Sequence, residues 1–454
     1  MMKRVNKHNR TKHGASSVFL AIIMSALILV ECTFVAFVWN LDYALSVNTA
    51  LKTQIDSILS DYNRQLFDVY GIYAFTKDEI DDECFYKALE INGLESGATL
   101  YVMSRKKFTT DDLKKAINSY YWYRGSGISV KTIVDKYSQL LLGLDETGIM
   151  ARIGEFMESP AAGYLSDIIK GSESAEEWIG KAGDVLNLED LLEEAADLNS
   201  LKSDYKEAIK DFELDIDLDI ADWEILLDTM SDLESIMDDL GDSSDPVMSK
   251  LFISHYCSHN FDCFFAPEGD ASITGTEFRT IHGDRKSDSE YIITGLEGVP
   301  GTLAVHFFMT RILVVSNILK DYANEEFRNT MMVLGEIISA IILVVSEGCA
   351  DIDPRLIAAG LTYICAIVQS MKDAIQIGMG KSVVIFEYED YEMVIFDYRD
   401  FLNLFCLLVP ESDLLERSHE ILRRDYGKLY KGVTLAADFR GSRYSMEKSY
   451  MLYE

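Results

Sequence analysis

Imidazole and thiolate groups are typical zinc ligands, and four of them lie close together in this chain: His255, Cys257, His259 and Cys263. If residues 248–265 form one helix, His255, His259 and Cys263 lie on one face of it and Cys257 lies off that face. His255 and Cys263 would then lie roughly 12 Å apart, too far to share one ion. Cys257 and Cys263 would likewise exceed the ~7 Å Cα separation that a disulfide allows. We therefore predict no metal site, with the pair His255 and His259 as the remaining alternative.

Two other segments begin like catalytic motifs and then depart from them. Residues 378–382 end like a phosphate-binding loop, but Ile375 occupies the position of its first glycine. His419 and Glu420 begin like a zinc-protease helix, but Arg423 replaces the second histidine. The chain has no Gly-x-Ser-x-Gly elbow, and its 7 histidines suggest no triad. We predict a protein that is not an enzyme and has no cofactor, although nothing here excludes a catalytic pair of carboxylates.

Acidic residues are concentrated in residues 171–250, where 25 Asp and Glu stand against five Lys. Within this stretch, 211–220 alternate acidic and apolar side chains, which predicts a half-buried edge strand. Asp215, Asp217 and Asp219 have the spacing of a calcium loop, but the turn glycine and the closing glutamate of that loop are missing. We predict acidic helices with this strand, and a weak surface cation site as the alternative.

The chain as a whole is both acidic and apolar. Its 454 residues include 75 Asp and Glu against 42 Lys and Arg, a net charge of −33, yet 48% are hydrophobic. So apolar a composition excludes a disordered chain. The strong negative charge argues against nucleic acid as a partner, because phosphate binding needs a basic surface.

The N-terminal region has the charge and hydropathy pattern of a membrane anchor. Residues 1–13 form a basic tail with five Lys and Arg and no acid, and residues 14–40 are predicted as the transmembrane segment. Its apolar core, 18–38, would extend roughly 31 Å as a helix, about the thickness of the bilayer hydrocarbon. That length exceeds the apolar core of a cleaved secretory signal. The flanking charges predict a single-pass protein of the cell membrane, with a cytoplasmic N terminus and an extracellular chain from about Asp42.

Glu31 is the one carboxylate within this apolar run. An ionised acid near the middle of a membrane costs on the order of 2–3 kcal/mol, so such a residue usually lies near an interface or faces a protein partner. Both interpretations stay open, and the second makes Glu31 an intramembrane helix contact.

The anchor is predicted to continue as an amphipathic stalk. No glycine or proline occurs from Ala15 to Tyr70, and apolar residues recur at steps of three and four beyond Leu41. This pattern predicts one helix over 15–70, ended by Gly71, within a stalk region of 41–75.

Several segments resemble a known family of membrane proteins. In the N-terminal part these are KHGASSVFLAIIMSALILVE and LKTQIDSILSDYNRQLFDVYGIYAF. Further along the chain they are SDSEYIITG, RILVVSNIL, QSMKDAIQIGMGKSVVIF and YRDFLNLFCLLVPESDLLERSHEILRRDYG. Taken in this order, over 14–75 and 286–430, they resemble the Firmicute branch of the TadE/TadG-like proteins, a family of unknown function that accompanies tight-adherence (type IVc) pilus machinery.

The resemblance implies an accessory or minor-pilin-like component of a pilus or secretion apparatus, acting by assembly. Its partners would be the membrane, the machinery proteins and pilin-like subunits that contact the transmembrane helix, and an oligomer fits this role. Prepilin-type processing would cut between Gly14 and Ala15, but it favours glutamate five residues beyond the cut, where this chain has Phe19. We therefore expect an uncleaved anchor. An extracellular adhesin or receptor is the alternative function, followed by an exported hydrolase.

The exported part is predicted to be α+β, dominated by helix, with a small β-sheet. Its expected divisions are an α/β segment at 76–160, an acidic helical insertion at 161–245 and a C-terminal α+β domain at 246–454. Strands and helices are predicted at the following positions: strands at 98–103, 381–391, 393–397 and 433–438, and helices at 110–123, 129–142, 398–409 and 411–426.

Three smaller features complete the expectations. The apolar stretches 331–346 and 356–370 are each about 15 residues, short of the ~20 that cross a bilayer, and predict a helical pair in a soluble core with a membrane hairpin as the alternative. Aromatic residues at 120–123 predict core packing, with a sugar platform as the alternative. The six cysteines beyond the anchor are expected as buried thiols, with one disulfide left open.

Overall fold

The fold is that of a computed structural model, which describes part of the chain. The described residues are 10–77, 80–94, 97–124, 148–160, 162, 231, 235, 245–265, 287–345, 352–378, 380–386 and 394–450. The predicted helix at 129–142 and the predicted acidic strand at 211–220 lie outside these ranges, as does most of the acidic insertion.

The described chain is mostly helical, as predicted, and carries a small antiparallel sheet. The helices are α1 Arg10–Ser60, α2 Arg64–Tyr70, α3 Glu83–Ile91, α4 Thr110–Arg124, α5 Ile149–Glu158, α6 Asp245–His259, α7 Asp288–Thr294, α8 Val299–Ala323, α9 Glu325–Val345, α10 Pro354–Gly378, α11 Tyr398–Leu408 and α12 Glu411–Tyr426. The strands are β1 Ala98–Lys107, β2 Val383–Phe386, β3 Val394–Phe396, β4 Tyr430–Phe439 and β5 Ser442–Ser449. Every strand that the sequence predicted within the described ranges is present, and β5 is an additional one.

The chain forms two compact units. The first comprises Met1–Thr109 and Arg423–Leu452, and the second comprises Thr110–Leu422 with the last two residues. The last two strands therefore join the N-terminal unit, whereas the sequence grouped them with 246–454. This grouping follows from strand pairing, because β4 lies between β1 and β5 in one antiparallel sheet.

The second half of α1 is the central helix of the first unit. Val47, Leu51 and Ile55 follow each other at steps of four and are all completely buried. Their cluster includes alternate residues of β4 and two residues of α3: Val433, Leu435, Ala437, Phe439, Phe85 and Leu89. The predicted stalk is therefore packed into a core from about Val47 onward.

A polar contact fixes α3 beside the same part of α1. The Gln54 side chain is buried, its amide donates to the backbone carbonyl of Asp81 at 2.6 Å, and its oxygen accepts from the amide of Phe85 at 2.8 Å. Gln54 thus satisfies one of the free amides at the start of α3.

Helix α1 ends at Ser60, ten residues before the end that the sequence predicts. The chain turns at 61–63, where the Asn63 side chain accepts from the amide of Leu66 at 3.0 Å and caps α2. Gly71 ends α2 in the left-handed conformation, as predicted. The uninterrupted helix predicted over 15–70 is therefore wrong, because a side-chain cap can start a new helix without glycine or proline.

The second unit is built from long helices, of which α8, α9 and α10 pack together. The predicted pair at 331–346 and 356–370 exists as α9 and α10, but these helices have 21 and 25 residues. Close approach depends on small residues: a Cβ added at Gly335 would lie 2.3 Å from the Pro354 carbonyl oxygen, and one at Gly360 would lie 2.4 Å from the Phe156 ring.

Three described helices are long and apolar enough to cross a membrane, judged by length and composition. They are Ser17–Ser60, Pro300–Ala323 and Pro354–Gly378. Within their most apolar windows, 0%, 72% and 50% of residues are buried inside the protein, respectively. The apolar surface of α1 is thus the one left uncovered, whereas the other two helices already bury much of theirs.

The packing of α1 predicts that two leucines in it contribute very differently to stability. Leu51→Ala should destabilise the first unit by about 2–5 kcal/mol, because it opens a cavity beneath β4. Leu45→Ala is the matched control, since Leu45 is 67% exposed and should change stability by about 0.5 kcal/mol or less. Hydrogen exchange of the β4 amides in the full chain measures both effects. Equal exchange rates in the two variants would contradict this assignment of the core.

Candidate functional site on the first helix

The first half of α1 presents an uninterrupted apolar surface to its surroundings. Every residue from Val18 to Asp42 is exposed, with Phe19 at 66% and Leu29 at 68%, and continuous burial begins only near Ser46. We call residues 18–42 the bare segment; as a helix it is roughly 37 Å long. An exposed apolar surface of this size marks contact with a membrane or a partner. The N-terminal helix is long and apolar enough to span a membrane.

The hydroxyl groups of the bare segment are satisfied within the helix itself. Ser25 Oγ donates to the Ala21 carbonyl at 2.8 Å and lies 3.0 Å from the Ile22 carbonyl. Thr33 Oγ1 donates to the carbonyl of Leu29. Such bonds to the preceding turn let these side chains enter an apolar medium without leaving a donor unpaired.

Glu31 is different, because its carboxylate has no hydrogen bond or ion pair among the described residues. It is exposed and lies near the middle of the bare segment, roughly 20 Å along the axis from Val18 and 17 Å from Asp42. Its neighbours one turn away include Leu27 and Val35, both apolar and exposed. A carboxylate in these surroundings is stabilised when a second protein supplies a cation or a hydrogen-bond donor.

Gly14 and Ala15, the predicted processing point, lie in the first turns of α1 with a helical backbone. Phe19, at the position where processing favours glutamate, is an exposed apolar residue of the bare segment. The uncleaved anchor remains a prediction, as does the role of Glu31 as a contact between helices.

A second polar cluster lies inside the second unit, where sequence reasoning expected only core. Glu290 has 0% exposure; its Oε1 accepts from the Phe264 amide and from the Tyr398 hydroxyl, both at 2.8 Å. Its other oxygen, Oε2, has no partner among the described residues. Burial raises the pKa of Glu290 to about 7, against the opposing charge of the nearby Arg399. Sequence reasoning singled out neither Glu290 nor Arg399, although both lie in segments that carry the family resemblance.

The histidines of the suspected metal cluster belong to the same region. His255 and His259 stack with ring centroids 3.9 Å apart, and the Tyr121 hydroxyl lies 3.0 Å from His255 Nδ1. Burial lowers the pKa of His255 to about 4, so the ring is neutral at pH 7. Helix α6 ends at His259, so the helix considered over 248–265 is too long and Cys263 lies beyond it. The described residues contain no group of three or more His, Cys, Asp or Glu that could hold a metal ion.

Tyr121 has the predicted core role, and so do Cys257, Cys263 and Cys406, which are buried, whereas Cys84 and Cys365 are only partly buried. Tyr121 is buried and stacks on Phe252 with centroids 5.3 Å apart, which confirms core packing for this member of the aromatic group. The six described cysteines are free thiols; Cys349 lies outside the described residues. Cys257 is buried next to the Ser418 hydroxyl, and burial raises its pKa to about 12, so it is protonated and unreactive.

The buried cluster does not line either of two open depressions on the described surface. One, of about 610 Å³, is lined by residues of α9 such as Glu326 and Val333. The other, of about 540 Å³, is lined by residues of α3 and the start of β1, including Tyr86 and Gly97. Neither of these two depressions gives access to the cluster around Glu290. The bare segment is the stronger candidate for function because its apolar surface is exposed.

Burial of Glu290 predicts a pH-dependent contribution to stability. Its folded pKa of about 7 lies above the ordinary value of 4.5, so its contribution is complete below pH 4.5 and is lost as the pH rises through 7. The stability of wild type relative to Glu290→Gln should therefore fall by about 3 kcal/mol over this range. Urea denaturation of both proteins over the same pH series measures this difference in the free energy of unfolding. His255 titrates in both proteins, so its contribution cancels in the difference. Glu416→Gln, at an exposed position of α12, is the control, and its stability difference from wild type should stay nearly constant over the pH series. A difference for Glu290→Gln that is equally independent of pH would contradict the assignment.

Comparison with protein-family models, with curated proteins and with solved structures finds no match to this chain.

Proposed function

We propose that this chain is a membrane-anchored accessory or minor-pilin-like component of a tight-adherence-type pilus or secretion apparatus, which acts by assembly and not by catalysis. The observation that carries the proposal is the division of α1. Residues 18–42 are bare and apolar, whereas Val47, Leu51 and Ile55 on the same helix are completely buried in the first unit.

The division of α1 supports an assembly role on mechanical grounds. A single helix joins the membrane-facing segment to the core of the first unit without a linker between them. Displacement of the bare segment by partner helices would therefore move the sheet with it, because the buried half cannot slide without exposing Leu51 and Ile55. A receptor on a flexible stem has no need for this rigid coupling.

The topology belongs to the same proposal. The five cations of residues 1–13 place the N terminus in the cytoplasm, and the chain from about Asp42 lies outside the cell. Partner subunits would contact the bare segment inside the membrane. Glu31 would then be the residue that selects partners, since an unpaired carboxylate disfavours any neighbour that offers no cation or donor.

Crosslinking of the intact protein in its own membrane tests this proposal. We expect it to recover membrane components of a secretion apparatus, including its ATPase and membrane platform. Glu31→Leu should weaken that recovery about three- to twentyfold, because polar contacts between membrane helices contribute on the order of 0.6–1.7 kcal/mol.

Ser25→Leu is the matched control within the bare segment. It also replaces a polar side chain by leucine, but the Ser25 hydroxyl is already bonded within its own helix, so recovery of partners should not change. Recovery of the protein alone after crosslinking would contradict the pilus proposal and favour an adhesin or receptor. Equal loss in both variants would contradict the role of Glu31.

An uncleaved anchor predicts that the protein keeps residues 1–14. The intact mass of the protein purified from membranes should equal that of the full chain, and Gly14→Val should change it only by the mass of the substitution. A wild-type mass corresponding to a chain that begins at Ala15, restored to full length by Gly14→Val, would overturn this expectation and establish prepilin-type processing.

A further inference from the structure

The turn between β4 and β5 holds an arginine against the aromatic residues that border the bare segment. The Arg440 guanidinium carbon lies 4.3 Å from the centroid of the Tyr43 ring and 5.4 Å from that of Phe439. The two rings meet edge to face with centroids 5.7 Å apart. Arg440 is therefore held in place by two cation–π contacts within the first unit.

These contacts place the turn at one end of the bare segment. Tyr43 directly follows Asp42, the last residue of that segment, and Trp39 lies one helical turn before it on the same face. Trp39 is 61% exposed. Tryptophan and tyrosine are enriched at the interface between membrane and water, so Trp39 and Tyr43 mark the level of the outer membrane surface along α1. Arg440 lies at that level.

The hydrogen-bond donors of the Arg440 guanidinium are not used within the described residues. Its side chain is exposed, and the guanidinium makes no hydrogen bond or ion pair among the described residues. Arg443, three residues further along the hairpin, is in contrast paired with Asp438 at 3.0 Å. Asp42 is close in position to Tyr43 but forms no ion pair with Arg440 within the described chain.

The backbone at this turn is also unusual for an arginine. Arg440 has φ +51° and Gly441 has φ +82°, as in a two-residue turn that usually carries asparagine and glycine. A long cationic side chain in the left-handed region is uncommon, and such residues tend to persist where they have a role.

We propose that Arg440 binds the phosphate group of a phospholipid headgroup at the outer surface of the membrane. A guanidinium offers a planar fork of donors that matches phosphate geometry, and its aromatic contacts hold it ready at the lipid surface. The hairpin then gives the first unit a second attachment to the membrane beside α1, which fixes the rotation of the sheet about the helix. This inference rests on the membrane-anchor part of the proposed function.

A fluorescent amino acid at Ser442 tests the inference in the full chain. Ser442 is exposed and lies two residues after Arg440. The protein is reconstituted into vesicles of phosphatidylglycerol and phosphatidylcholine that carry a spin-labelled headgroup as the quencher. We expect quenching at Ser442 to exceed that of the same probe at Ser60 at least about threefold, because Ser60 lies roughly 25 Å further along α1 than Tyr43.

Variants then separate the arginine from the position of the hairpin. Arg440→Gln should lower quenching at Ser442 about twofold or more, and Arg440→Lys should restore part of it, since lysine binds phosphate as a point charge. Arg64→Gln is the matched control: it removes an exposed arginine of α2 that lies beyond the end of α1, and it should leave quenching unchanged. Unchanged melting of the Arg440→Gln protein shows that the fold is retained.

Three results would overturn the inference. The first is equal quenching at Ser442 and Ser60, and the second is unchanged quenching in the Arg440→Gln variant. The third is loss of the quenching at Ser442 when inorganic phosphate is added, because that result would assign the site to free phosphate. Flotation of the vesicles reports on the anchor separately. Protein that floats but shows no quenching at Ser442 contradicts the inference alone, and the vesicle result does not depend on whether crosslinking finds a secretion apparatus.

Discussion

The packing of α1 on the central strand β4 is the constraint on which the first unit depends. Val47, Leu51 and Ile55 meet Val433, Leu435 and other alternate residues of a strand near the far end of the chain. This contact covers one face of a sheet whose strands β1 and β4 are far apart in the sequence. It also removes from water the apolar face that the stalk would otherwise expose. It also stops burial on α1 at about Ser46, and thereby leaves the bare segment uncovered. The bare segment and the segment buried in the core are thus two parts of one continuous helix.

In the proposed membrane topology, the same contact would set the level at which polar groups meet the lipid. Because α1 cannot shift along the sheet, Tyr43 and the hairpin turn with Arg440 remain beside the end of the bare segment. Glu31 lies roughly 18 Å from Tyr43 along the same helix, where, under this proposal, lipid would exclude water and a second protein would supply its partner. The two opposite charges would then have different neighbours, a partner helix for the carboxylate and the lipid surface for the guanidinium.

The second unit shows how an acidic chain accommodates charge in its interior. Glu290 and the His255–His259 pair are buried near Arg399, whose guanidinium also donates to the Ser258 carbonyl at 2.5 Å. Burial shifts the pKa values of the acid and of His255 towards their neutral forms. Such a network is costly if one member is removed, because the others lose their partners.

Sequence patterns alone determined the long apolar helix at the N terminus, the predominance of helix and the positions of β1 and β4, because hydropathy at a fixed period reports directly on which face of an element is buried. They also located the amphipathic half of α1, but not the strand that covers it, since periodicity carries no information about partners. Strand β5, Ser442–Ser449, was missed because only Tyr444 and Met446 among its eight residues are apolar, which is too few to stand out as a strand pattern. The end of α1 at Ser60 depends on the Asn63 cap, which resembles any other asparagine in the sequence. Only the tertiary structure could bury Glu290 or bring Arg440 to Tyr43, because both depend on contacts between residues far apart in the chain.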